Sequence, residues 1–168
     1  YKTAASADRL FTQTTERIRR IPGVGSAAAA LTLPYQRPLN YGFRLLDGED
    51  TEGHASEMIY TTPGYFETLR IPVLEGRGFR ESDRPESAPV VVVSQSFVKR
   101  DFKVRQAIGR QIAIDRKPRE IVGVAGDVQQ HSGLGNFGPL SLDPTIYLPL
   151  AQTSDGMLQV IHTWFSPQ

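Results

Sequence analysis

Residues 133–138 read Gly133-Leu134-Gly135-Asn136-Phe137-Gly138, the G-x-G-x-x-G spacing of a dinucleotide-binding turn. That chemistry needs a strand before the glycines and a helix starting within them, so that backbone N–H groups meet the pyrophosphate. Pro139 and Pro144 follow instead, and no helix can start there. The stretch reads as a surface loop. The histidines are His54, His131 and His162, and none forms a H-x-x-x-H or H-x-H pair that could begin a zinc site. Asp127 and His131 stand four residues apart at the end of a strand pattern, the nearest approach to an acid–base pair. Ser94 sits between a valine run and a helical pattern, where a hydrolase places its nucleophile. Val92 and Ser96 occupy the flanking positions where that elbow needs glycine, so helix capping is the expected role. Glu75, Glu81, Asp83 and Glu86 crowd a polar loop in which solvation is the default. Aromatic and basic residues interleave at Tyr65, Phe66 and Arg70 and again at Arg77, Phe79 and Arg80, a pattern of core aromatics beside surface arginines.

The chain of 168 residues carries 19 basic and 18 acidic side chains, so its net charge of +1 gives no footing for a nucleic-acid binder. It has no cysteine, which excludes a disulfide scaffold, a thiolate metal site and a cysteine nucleophile. No run approaches the ~20 apolar residues of a membrane span. Opening at Tyr1 without a methionine or signal peptide, it reads as a piece of something longer.

The elements that would position these residues alternate. Residues 5–21 form an amphipathic helix with Ala7, Leu10, Phe11, Thr14, Ile18 and Ile21 at helical spacing, Ser6 as its cap and Pro22-Gly23 as its stop. Residues 24–33 read as a strand. A strand-rich insertion covers 36–60, with strands at 40–46 and 54–61 around a turn at 47–50. A short helix spans 63–69, a strand 73–79, a doubly covered valine strand 90–93 and a helix from there to about 102. A hairpin pairs 110–114 with 119–128, a loop runs 131–144, and strands follow at 145–150 and 158–165. The expected architecture is α+β, an α/β sandwich with helices on one face of a mixed sheet.

Several segments in order resemble the periplasmic core domain of MacB-like ABC-transporter permeases, the macrolide-exporter and lipoprotein-releasing type. They are Ile21-Pro22-Gly23-Val24 and Thr62-Pro63-Gly64-Tyr65-Phe66-Glu67-Thr68-Leu69, then Leu74-Glu75-Gly76-Arg77-Gly78-Phe79 with Asp83. They continue through the valine run ending at Ser94, Ala107-Ile108-Gly109-Arg110 and Ile121-Val122-Gly123-Val124-Ala125-Gly126-Asp127, and close at Ile146-Tyr147-Leu148-Pro149. The details are most similar to the large permeases of acidobacteria. Ser94 stands where the family commonly has asparagine, and both cap helices.

The resemblance implies a domain between the first two membrane helices of a permease, outside the cytoplasmic membrane. It implies one periplasmic core domain over 1–168. Residues 1–35 and 57–109 would form mainly a Porter-like lobe, and 36–56 with part of 110–150 a strand-rich Sabre-like lobe. It further implies a cytoplasmic ATPase partner, a periplasmic adaptor or lipoprotein, a dimeric permease, and neither cofactor nor catalytic residue. Pro22, Gly23, Pro63, Tyr65, Phe66, Gly76, Arg77, Phe79, Asp83, Gly109, Gly123, Asp127 and Pro149 would be fold-determining positions. Two other readings stand beside it: a stand-alone ligand- or peptide-binding module using the 131–144 loop, and a hydrolase using Asp127 and His131.

Overall fold

The computed structural model describes residues 3–46, 53–102, 106–131 and 140–165. Helix α1 (Ala4–Arg19) starts one turn earlier than Ser6 suggests. Thr3 is the cap, and its hydroxyl and the Ser6 hydroxyl serve each other's backbone N–H groups in a capping box. The expected strand at 24–33 shrinks to one bridge, Ala30 to Thr61. Its consecutive alanines present little side chain to hold a pleated surface.

Strands β1 (Leu39–Leu45) and β2 (His54–Thr61) pair antiparallel, and the turn expected at 47–50 lies outside the described residues. Helix α2 is one turn, Tyr65–Thr68. Strands β3 (Val73–Gly76) and β4 (Val90–Ser94) follow, then helix α3 (Gln95–Asp101). Strands β5 (Gln111–Ile114) and β6 (Lys117–Ala125) form a tighter hairpin than expected. Asp115 and Arg116 both take positive φ, so two residues suffice to turn the chain, and the Tyr41 hydroxyl donates to the Asp115 carboxylate at 2.7 Å. The 131–144 loop is flanked by a short ribbon, β7 (Gln130–His131) with β8 (Leu140–Ser141). The glycines at 133–138 fall outside the described residues. Strand β9 (Thr145–Pro149) leads through a 3-10 turn (Leu150–Gln152) into helix α4 (Asp155–Phe165).

That last element corrects the strand expected at 158–165. The β-branched and aromatic residues there favour a strand. The Ser154 hydroxyl, however, accepts the Met157 N–H at 3.1 Å, and Asp155 lies in the first turn. Met157 and Ile161, four apart, are the pair that joins the core. A local start signal and an i, i+4 apolar pair override residue preference.

The main sheet runs β3-β6-β4-β9-β2-β1-β5, and β5 also pairs with β6, so the sheet curls until six of its strands form a ring. Odd and even positions then face two cores. Met58, Tyr60, Val91, Val93, Ile121, Ile146 and Leu148 face one, with Phe97 of α3 and Met157 of α4. Ile59, Val90, Val92 and Tyr147 face the other, with Tyr65, Phe66 and Phe79. All five residues of β4 are buried, as its unbroken valines predict.

Candidate functional site

Three clusters of contacts bring together several of the motif residues. In the first, β3 leaves the sheet against β6. Gly76 has φ +67°, and a Cβ on it would lie 2.2 Å from the Val122 carbonyl oxygen. A Cβ on Gly123 would lie 2.1 Å from the Arg77 carbonyl oxygen. The Arg77 N–H donates to Val122 O at 2.9 Å across this contact. The Arg77 guanidinium then grips Asp83 with both Nη atoms, at 2.8 and 2.9 Å, and Asp83 also accepts the Arg80 N–H at 2.8 Å. This bidentate clasp fixes the loop after Phe79.

Burial is the largest single influence on the Asp83 carboxyl and pushes it up. The Arg77 hydrogen bonds, the Arg80 N–H and the two guanidinium charges together outweigh it and hold the group below the usual carboxylate range. A depressed folded value stabilises the fold above the unfolded carboxyl's pKa and loses that contribution as pH falls through the folded one. Asp83→Asn is therefore expected to be less stable than the parent by a constant margin above about pH 5. The margin should close as pH falls below about 4, the ordinary aspartate range, in urea unfolding series followed across pH. A margin unchanged down to pH 2 would contradict the clasp's ionic character.

The second cluster is aromatic. Tyr65 meets Phe66 at 5.5 Å between ring centroids, Phe66 meets Tyr147 at 5.1 Å, and Phe66 meets Phe79 at 6.0 Å. The Tyr65 hydroxyl is buried without a hydrogen-bond partner, and burial pushes it up to about 12. Tyr65→Phe removes an unsatisfied polar group and keeps the ring. It is expected to leave the thermal midpoint unchanged or slightly raised. A marked fall would show that the hydroxyl has a partner.

The third cluster pins α1. Arg19 Nε donates to Ala27 O at 2.9 Å and Nη2 to Pro63 O at 2.8 Å, while Nη1 stands 3.6 Å from Glu81. Gly64, at φ +86°, lets the chain pass under that guanidinium. At the other end of α1 the Ala4 N–H donates to the Asp155 carboxylate at 2.6 Å. Between these tethers lies a cleft of about 660 Å3, edged by Asp8, Thr12 and Glu16 on one side and Arg80, Arg84 and Glu86 on the other, with Pro149 at its margin. Burial there, reinforced by Glu81, raises the Asp8 carboxyl against the hydrogen bond from Thr12. Charges of both signs on facing walls suit a surface that closes and opens, or a polar partner.

The remaining motif residues lie apart. Gly23 lies in the turn after α1, next to Pro22, with φ +88°, and Gly109, at φ +82°, donates its N–H to Ile121 O at 2.9 Å. Asp127 accepts the Ser96 N–H at 2.7 Å and so completes the start of α3. The Ser94 hydroxyl accepts the N–H groups of Phe97 and Thr145, at 3.2 and 2.9 Å, which fits a cap. His54 Nδ1 stands 3.7 Å from the Asp101 carboxylate, far in sequence from the other two histidines. Among the described residues no group of three or more His, Asp or Glu could hold a metal ion.

Sequence reasoning missed Arg19 as a tether, and it missed the buried network of Arg119 and Gln152. Arg119 Nη1 donates to the Gln152 side-chain oxygen and Nη2 to its carbonyl, both at 3.3 Å. That side-chain oxygen also accepts the Val90 N–H at 3.0 Å. The Gln152 amide reaches Arg84 O, Ser87 Oγ and Ala88 O. The alternation of β6 places Arg119 on the buried side with Ile121, a signal legible in sequence. Nothing in the sequence marks Gln152.

A curled mixed sheet with helices held against it by side-chain clasps makes this an α+β fold. The chain belongs to the MacB-like periplasmic core domain family, whose model matches residues 3–164. The family supplies extracytoplasmic domains of ABC-transporter permeases. The fold is that of the periplasmic region of MacB from Actinobacillus actinomycetemcomitans, with a TM-score of 0.58 at 18% identity. The match covers 84% of this chain and 55% of that one. It is also similar to the extracellular domain of the ABC-type transporter YknZ from Gram-positive bacteria, with a TM-score of 0.55 at 17% identity, covering 88% and 64%. The chain thus spans between about half and two thirds of the solved domains it resembles. No curated protein matches it. Among the described residues no helix is long and apolar enough to cross a membrane.

Proposed function

We propose that this domain stands on the outer face of the cytoplasmic membrane, tethered within a longer permease, and passes on movement driven by ATP hydrolysis inside the cell. It does so without chemistry of its own. The observation that carries this reading is the family match over residues 3–164. The geometry of α1 agrees with it: one long helix, held at both ends by single side chains, lies beside a charged cleft. Movement of α1 would open or close that cleft.

In this reading residues 1–35 and 57–109 make up mainly the Porter-like lobe, and 36–56 with part of 110–150 the Sabre-like lobe. The partners are a cytoplasmic ATPase subunit or domain, reached through the parent's membrane helices, and an adaptor or lipoprotein outside, with two permease copies working together. The longer protein, extracted from membranes in mild detergent, should co-purify with an ATPase. Removal of residues 3–164 should leave that association intact and abolish the coupled output. Purification without any ATPase, or full output from the deleted form, contradicts the proposal.

A further inference from the structure

Where the ribbon of β7 and β8 runs into β9, the chain is fastened to β2 at one carbonyl. Pro144 O accepts the Glu57 N–H at 3.1 Å and the Ser56 hydroxyl at 2.6 Å. The Glu57 side chain at this fastening is poorly provided for. Asn40, its register partner on β1, donates through Nδ2 to Oε1 at 3.1 Å. Oε2 is buried and has no hydrogen-bond partner. A carboxylate oxygen held out of water without a donor destabilises the ionised form. Among the described residues, two charged groups act on it. Asp143, on the segment between β8 and β9, repels it, and Arg37, on the segment before β1, attracts it. Asp143 is itself fixed in place. Its Oδ2 accepts from the Ser141 hydroxyl, and its carbonyl accepts from the Thr145 hydroxyl at 2.9 Å.

Burial is the largest influence on the Glu57 carboxyl. With Asp143 it outweighs Asn40 and Arg37, so the group keeps its proton above the usual glutamate range. A carboxyl raised in this way adds stability that is full below the unfolded glutamate value of about 4.3 and is lost as pH rises through the folded one. A proton on Glu57 ends the repulsion from Asp143 and turns the bare oxygen into a donor. We infer that Glu57 is a proton-operated catch: protonated, it lets residues 141–144 sit firmly on β2 and anchors the ribbon, and ionised, it loosens that hold. In a family of extracytoplasmic domains the outside pH acts on such a catch directly. The catch needs no coupling to an ATPase, so it stands or falls apart from the function proposed above.

Amide hydrogen exchange of the full chain, followed by NMR between about pH 4 and about pH 7.5 and corrected for intrinsic rates, reads the hold at the Glu57 N–H. Glu57→Gln mimics the protonated form and keeps every other titrating group, so it is the reference. The parent's protection relative to Glu57→Gln is expected to fall about threefold or more from the acid to the neutral end. Asp143→Asn should shrink that fall. His131, opposite Leu140 in the ribbon, is of a residue type that titrates in the same range, and a His131→Gln background should leave the fall in place. If Glu57→Gln does not fold, the Glu57 carboxyl carbon decides. It should titrate above the ordinary glutamate range in the parent and lower in Asp143→Asn. A constant ratio, a fall untouched by Asp143→Asn or abolished by His131→Gln, or a carboxyl titrating at or below the ordinary range overturns the inference.

Discussion

Gly123→Ala should destabilise the domain by about 3–5 kcal/mol, among the largest effects a single methyl can have. The added Cβ would sit 2.1 Å from the Arg77 carbonyl oxygen, 3.0 Å from its carbon and 3.3 Å from a Val92 methyl. The first two are backbone atoms of the strand exit, and they cannot turn aside as a side chain would. Moving them strains the Arg77 N–H bond to Val122 O and the Arg77 clasp on Asp83. Gly76→Ala should cost a similar amount. It meets Val122 O at 2.2 Å and must also hold φ +67°, where any Cβ is disfavoured. Gly25→Ala is the control, because nothing lies within 4 Å of its Cβ position. Urea midpoints should fall sharply, or folding fail, for the first two and stay within about 0.5 kcal/mol of the parent for the third. Equal midpoints across all three would show that β3 does not press on β6 as described.

The second large effect is expected at Gln152. Its side chain accepts from the Val90 N–H and Arg119 and donates toward the carbonyls of Arg84 and Ala88 and the hydroxyl of Ser87. Arg119 is 7% exposed, and burial lowers its affinity for a proton. Gln152→Leu keeps much of the volume but leaves a buried cation with a lost acceptor and a backbone N–H with none. Each unsatisfied buried group costs about 1–3 kcal/mol, so a loss near 4 kcal/mol is expected. Arg119→Met added to Gln152→Leu should recover part of it, since removing both partners of a buried polar contact is cheaper than removing one. A double variant less stable than Gln152→Leu alone would mean that Arg119 is held by other groups.

How far the sequence is legible follows from the range of each signal. Local signals read well. The valine run, the strand at 54–61, the Ser94 cap and the hairpin around Asp115 each declare themselves within a few residues. The strand expected at 158–165 fails because Val160, Ile161 and Thr163 prefer a strand on average, whereas the Ser154 cap and the Met157–Ile161 pair decide the matter at that place. The closure of the sheet through β5 and β6 depends on pairings of Arg44 with Ala113 and of Ile112 with Arg119, which no local pattern announces. The glycine motifs are visible as motifs. Why they are glycine emerges only when Gly123 is seen against Arg77, 46 positions away in the chain. Arg19 and Gln152 stay hidden for the same reason, because their partners are distant carbonyls.

The proposed function places the domain outside the membrane and has it move with the ATPase cycle. The chain has no cysteine, so Glu86→Cys introduces a unique thiol within it, on the wall of the cleft facing α1. In spheroplasts making the longer protein, a membrane-impermeant maleimide is added from outside, with and without trapping of the ATP-bound state. The thiol is expected to be modified from outside in both conditions, at rates that differ as α1 opens or closes the cleft. Modification only after lysis would contradict the placement, and one rate in both states would contradict the coupling.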